Sequence, residues 1–184
     1  MKTPDSSYVG YFKEGLPHGE GKMILASTGS ELLGNFENGV LSGVGQVRTK
    51  KGSVYYGEFD ANQFNEGTVV TPKGIEFVGK FDNYWPLEGV ATYPSGIIYK
   101  GKMKDWNWHD DSGEALLTYP KRNKKTGSPY KVTYYRGCFS CSNFHGFGEM
   151  GWRNGKKWSG EWVENEMQPD KGEWGKVEPT EQNQ

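Results

Sequence analysis

The chain has 184 residues, with 22 basic and 23 acidic side chains and a net charge of −1. That balance excludes a global field drawing it to nucleic acid or to a membrane surface, and no apolar run is long enough to span a bilayer as a helix. With 27 Gly, 7 Trp, 11 Tyr and 9 Phe but only four Ala and eight Leu, the composition disfavours helices and favours short strands joined by tight turns.

The first predicted strand is Tyr8-Val9-Gly10-Tyr11-Phe12, followed by Gly19-Glu20-Gly21-Lys22-Met23 and a turn at Thr28-Gly29. The same unit recurs from Leu32 to Phe36, with Gly43-Val44-Gly45 and a turn at Lys51-Gly52. Further copies run from Tyr55 to Phe59, Phe77 to Phe81 and Tyr99 to Met103. Then come Tyr135 to Phe139 with Gly146-Phe147-Gly148, and Trp158 to Trp162 with Gly172-Glu173-Trp174. The central glycines are Gly10, Gly34, Gly57, Gly79, Gly101, Gly137 and Gly160, in steps of 24, 23, 22, 22, 36 and 23. A fixed period of this size implies one small unit copied side by side.

In a strand, residues i, i+2 and i+4 share a face, so each leading aromatic or apolar residue, its glycine and the trailing residue line one side. A glycine inside a strand weakens it unless something needs the space above. An aromatic ring from a neighbouring strand is the expected occupant, and the mostly polar intervening residues suit the other face. Thr28-Gly29, Lys51-Gly52, Lys73-Gly74, Ser95-Gly96 and Asn154-Gly155 read as hairpin signals, with Asn-Gly the strongest for a type I′ turn. The expected fold is all-β: an elongated, twisted, single-layer antiparallel meander of about seven hairpins, roughly fourteen strands, with an aromatic-lined groove.

Copies three and four keep one glycine of the Gly-x-Gly pair, Gly67 and Gly89, and copies five and seven have Gly113 and Gly172 one residue late, which implies a longer loop or bulge. The 36-residue step holds a polar insertion centred on residues 121–129. The expected domain plan is a tail over residues 1–7, repeats over 8–175 with an inserted basic loop around 120–131, and a polar tail over 176–184.

The Y-x-G-x-[FW] … G-x-G spacing resembles the MORN (membrane occupation and recognition nexus) repeat from about Tyr8 to Trp174, with Tyr8–Met23 and Tyr135–Met150 the best copies. That resemblance implies a groove that accommodates partner segments, often helical. It also implies a cytoskeletal, ciliary, flagellar or axonemal setting, since short all-MORN proteins are commonly found there. MORN repeats also occur beside methyltransferase and kinase domains, and any such domain would here be a separate polypeptide.

All seven tryptophans lie in the C-terminal hundred residues. They serve as the core of the sheet or as an exposed strip against which a peptide or helix lies. Phe81, Trp85, Met103, Trp106, Phe139, Trp158 and Trp162 are the candidate partner-binding residues. Lys121, Arg122, Lys124 and Lys125 put four positive charges in five residues. They read as a solvated loop or as a weak, salt-sensitive contact to anionic lipid or another acidic surface. The alternative function is therefore a membrane-tethering module.

Cys138 and Cys141, with His145 nearby, fall short of the four ligands of a structural zinc site and read as incidental. No catalytic triad, paired-carboxylate or phosphate-loop pattern surrounds His109, Asp110, Asp111, Glu66 or Glu88. Neither enzyme activity, cofactor nor metal is expected. The two cysteines cannot build a disulfide framework and Met1–Ser7 is polar, so a cytoplasmic, non-secreted protein is expected. End strands expose unpaired backbone, which leaves a homodimer open, although Pro4 and Pro179 are placed to discourage it.

Overall fold

The computed structural model describes residues 5–121 and 130–177. They are all-β and antiparallel, and the chain divides into two compact units, Met1–Leu87 and Glu88–Gln184. The first unit holds β1 (Ser6–Lys13), β2 (Leu16–Leu25), β3 (Glu31–Glu37), β4 (Val40–Arg48), β5 (Val54–Asp60), β6 (Gln63–Val70) and β7 (Glu76–Asp82). Strand β8 (Trp85–Thr92) carries the chain into the second unit. There follow β9 (Ile98–Lys104), β10 (Asn107–Trp108), β11 (Leu116–Thr118), β12 (Val132–Ser140), β13 (Asn143–Trp152), β14 (Lys156–Val163) and β15 (Glu166–Lys176). Within each unit strands pair with their sequence neighbours, except that β9 pairs both with the short β10 and, past it, with β11. The expected meander is present, with fifteen strands among the described residues.

The repeat glycines stand directly opposite one another. In the first unit Gly10, Gly21, Gly34, Gly45, Gly57, Gly67 and Gly79 form one row across the strands. In the second unit Gly89 faces Gly101, and Gly137, Gly148, Gly160 and Gly172 face each other in turn. The late Gly172 therefore joins the row, with a bulge between Gly160 and Trp162 taking up the extra length. Gly113 does not join it. Ala115 occupies the row position, accepting a hydrogen bond from Gly137 N–H at 3.0 Å, while Gly113 lies in the loop before β11.

Rings explain the row. A methyl group at Gly21 would overlap the Tyr8 ring, and one at Gly148 would overlap Tyr135. The Trp158 indole covers Gly172 in the same way. The leading residues Tyr8, Leu32, Tyr55, Phe77, Tyr99, Tyr135 and Trp158 are all buried, so this face is the core of each unit.

The turns differ from the expectation. Thr28-Gly29, Lys51-Gly52 and their equivalents join one repeat to the next through looser loops, as where Gly52 N–H donates to Thr49 O at 2.9 Å. In Asn154-Gly155 only the glycine has positive φ, so it is not the type I′ turn that its sequence suggested. The two-residue turns with both φ positive lie inside the repeats: Glu14-Gly15, Asn38-Gly39, Ala61-Asn62, Asn83-Tyr84, Asp105-Trp106, Cys141-Ser142 and Glu164-Asn165. Five of these contain no glycine, and side-chain acceptors secure three of those five. Asn62 Oδ1 accepts from Leu41 N–H at 2.8 Å, Asn165 Oδ1 from Phe144 N–H at 2.8 Å, and Ser142 Oγ from Trp108 N–H at 3.1 Å. At the equivalent place Gly39 faces Pro17, which has no N–H to satisfy.

Candidate partner-binding face

The glycine-row face of the second unit is packed shut by its own rings. Phe144 stacks on Tyr135 at 4.1 Å between centroids, and Trp108 stacks on Tyr99 at 5.3 Å. Phe139 meets Tyr135, Tyr99 and Trp108 edge-on. Trp158 and Trp162 contact each other edge-on at 5.1 Å, and the buried Trp162 indole N–H donates to Gly148 O at 3.2 Å. Met103, Phe139, Trp158 and Trp162 are thus buried members of this layer, and Phe81 is buried in the first unit. Trp106 is half-buried at the second position of its turn, with φ of 63°. Trp85 is exposed beside the buried Pro86, which strand alternation assigns to the other face.

The same face of the first unit stays open. A cleft of about 460 Å³ is lined by Met23, Leu32, Val47, Tyr55, Asn62 and Tyr84, with Thr28, Ser30 and Thr49 on its rim. Leu32, one of its lining residues, occupies the leading position where the neighbouring copies carry Tyr8, Tyr55 and Phe77. The space above Gly45 is closed by the Leu41 side chain instead. Tyr84 walls the far side: its ring meets Tyr55 edge-on at 4.9 Å and stacks on Phe64 at 5.9 Å, while its hydroxyl donates to Asn62 O at 3.0 Å. Burial, with a smaller contribution from Tyr55, raises the Tyr84 hydroxyl to about 12, so it remains a donor at neutral pH. The leucine in place of a ring is visible in the sequence at Leu32. Tyr84 carried no signal, because a tyrosine in the left-handed region is unusual.

The opposite face is less polar than the repeat suggested. Val9, Tyr11, Leu33, Val44, Tyr56 and Val78 are exposed on the first unit, and Phe147 on the second. Shallow depressions lie beside Val9, Tyr11 and Leu33 and beside Leu33 and Val44.

Asp110 and Glu149 are held by hydrogen bonds within the second unit. Asp110 is buried and accepts from Lys102 N–H at 3.0 Å and from Ser112 N–H and Oγ, anchoring the loop that pairs back onto Phe139. Burial alone would raise its carboxyl, but these bonds and the Lys102 charge hold it below the usual range. Glu149 accepts from Lys157, Ser159 and Tyr134. Cys138 and Cys141 are free thiols, and no group of three potential metal ligands is assembled among the described residues. Lys121 is exposed, whereas Arg122, Lys124, Lys125, Pro4 and Pro179 lie outside the described residues. No helix among the described residues is long and apolar enough to cross a membrane.

Comparison with protein families agrees with this geometry at two places. Residues 8–29 and 135–157 match the model of the MORN repeat. Both stretches contain the tyrosine-over-glycine arrangement, Tyr8 on Gly21 and Tyr135 on Gly148. MORN repeats are non-catalytic and generally serve in protein or membrane interactions. No curated protein matches the chain.

Proposed function

We propose that the chain is a non-enzymatic scaffold that binds a partner protein segment on its ring-lined face, in a cytoskeletal or ciliary assembly of the cytoplasm. The observation that carries the binding reading is the open cleft at Leu32, on a face that the second unit closes with its own rings. The MORN repeat matches support an interaction module. For the cytoskeletal setting, resemblance to short all-MORN proteins is the support. Of the residues expected to meet a partner, Trp85 and Trp106 are the accessible ones, while Phe81, Met103, Phe139, Trp158 and Trp162 underlie the surface. Homodimer pairing has the end strand β15 in its favour, eleven residues long with an exposed Trp174. For adhesion to anionic lipid through the basic loop, the exposed Lys121 is the support within the described residues.

Photo-crosslinking in cells of the native source tests the reading. A benzophenone amino acid replacing Tyr84, at the cleft, is expected to give discrete protein adducts, and one replacing Val44, on the opposite face, is not. Adducts from Val44 alone, or from neither position, would contradict it.

A further inference from the structure

Each repeat buries two positions against its neighbours, and the two end strands leave one of each open. On the second strand, the residue two after the row position is Met23, Val47, Val69, Ala91, Leu117 or Met150 in the first six copies, and none is more than 7% exposed. In the seventh it is Trp174, which is 62% exposed although its indole touches Trp152. On the first strand, the trailing residues Phe36, Phe59, Phe81, Met103, Phe139 and Trp162 are at most 6% exposed, whereas Phe12 of the first copy is 45% exposed. Trailing rings are covered by the copy before: Tyr8 meets Phe36, Tyr55 meets Phe81, Tyr99 meets Phe139 and Tyr135 meets Trp162. Phe12 has no copy before it, and Trp158 leads the last copy. Repeat arrays ordinarily end in copies with polar outer faces, so apolar residues left open at both ends are a signal. The backbone agrees. Ala26 N–H donates to Asp5 O, so alternation along β1 bonds Ser7 and Val9 to β2 and turns the N–H and C=O of Gly10 outward. Val177 N–H donates to Gly155 O, which turns those of Gly172 outward on β15 in the same way.

We propose that the chain associates head to tail with a second copy of itself, β15 of one molecule pairing antiparallel with β1 of the next, Gly172 opposite Gly10. This register sets Phe12 of the second molecule against Trp158 of the first, the leading-to-trailing ring contact that the chain already makes four times. It covers Trp174 as the last repeat covers Met150. The stretch Lys171–Gly175 supplies five pairs, as many as join β8 to β9, and Pro169 and Asp170 lie outside it. On the opposite face Glu173 and Lys171 meet Val9 and Tyr11, repeating the way Lys22 faces Leu33 and Gln46 faces Tyr56. Residues Ser6–Phe12 carry no charge that would blunt the edge. Pairing β15 with β15, or β1 with β1, does not bring Phe12 to Trp158. The arrangement is heterologous, so each added copy presents a fresh edge and growth continues past a dimer. It is independent of the cleft and of the scaffold reading.

Sedimentation velocity of the full chain is expected to show a weight-average coefficient that rises with concentration beyond that of a dimer. Phe12→Asp blocks one end and Trp174→Asp the other, and melting curves establish that both variants fold. Each alone is expected to be monomeric. A 1:1 mixture is expected to form a discrete heterodimer, through β15 of the Phe12→Asp chain and β1 of the Trp174→Asp chain. Should Phe12→Asp unfold, Val9→Asp sets a like charge opposite Glu173 at an exposed site and serves in its place. Val78→Asp, exposed on a strand away from both edges, is expected to assemble like the parent. A dimer that persists in Phe12→Asp would show β15 pairing with itself, and one that persists in Trp174→Asp would show the same of β1. Either result would overturn the proposal, as would a parent that stays monomeric or stops at a dimer, or a mixture that stays monomeric.

Discussion

Asn62 and Leu41 exchange two hydrogen bonds: Asn62 N–H donates to Leu41 O at 2.9 Å, and Leu41 N–H donates to Asn62 Oδ1 at 2.8 Å. The pair ties the two-residue turn of one repeat to the strand start of the repeat before it. Asn165 and Phe144 repeat the arrangement in the second unit.

Asn62→Gly keeps the left-handed turn but removes the acceptor of Leu41 N–H, so a loss of about 1–3 kcal/mol is expected in urea unfolding. Asn62→Ala adds the left-handed penalty of roughly 1–2 kcal/mol and is expected to be worse. Gly39→Asn supplies an acceptor opposite Pro17, which has no N–H, and is expected to gain no stability from it. Equal stability of the two Asn62 variants would show that the turn conformation carries no strain.

Gly21→Ala forces a methyl into the Tyr8 ring, and overpacking of this kind costs about 1–3 kcal/mol or more. Tyr8→Leu in the Gly21→Ala background is expected to recover part of that loss, giving a favourable coupling in a double-mutant cycle. Simple additivity would mean that the ring does not depend on the glycine beneath it.

Glu149 gives the second unit a pH dependence. Burial pushes its carboxyl up, but hydrogen bonds from Lys157, Tyr134 and Ser159, with the Lys157 charge, leave it below its ordinary value. A lowered folded-state pKa means that the unfolded chain binds more protons in the acid range. Its contribution is therefore full above about pH 4.3 and is lost as pH falls through the folded value. Denaturant midpoints between pH 3 and 6 are expected to fall less steeply in Glu149→Gln. An unchanged slope would remove Glu149 from the acid response.

At the alkaline end, burial raises Tyr84 and Tyr134 to about 12, Tyr134 with help from its hydrogen bond to Glu149. Raised folded values mean that their contribution is full below the ordinary tyrosine value of about 10 and is lost as pH rises through about 12. Tyrosinate absorbance is expected to lag that of the denatured chain, and the Tyr84→Phe and Tyr134→Phe differences are expected to lie between those two values. Ionisation of both residues at pH 10 in the folded protein would contradict their burial.

The meander and the ring-over-glycine layer were legible because both follow from period and spacing. Tyr8, Gly10 and Gly21 recur at fixed offsets in later copies, and alternation does the rest. The type I′ turns were not legible. Ala61, Tyr84, Trp106 and Cys141 adopt positive φ because the paired strands on either side demand it, overriding local preference. Gly113 misled for a related reason: the loop anchored by Asp110 displaces it, and Ala115 is small enough to take the row position. Six of the seven tryptophans lie in the second unit, yet there rings pack on rings. The open cleft lies in the first unit, where Leu32 and Tyr84 are among its lining residues.

Cellular crosslinking from position 84 in the Leu32→Phe background separates folding from binding at that surface. The prediction is a folded chain that no longer forms the adducts obtained with Leu32. An undiminished adduct pattern from a folded Leu32→Phe chain would contradict the placement of the partner in this cleft.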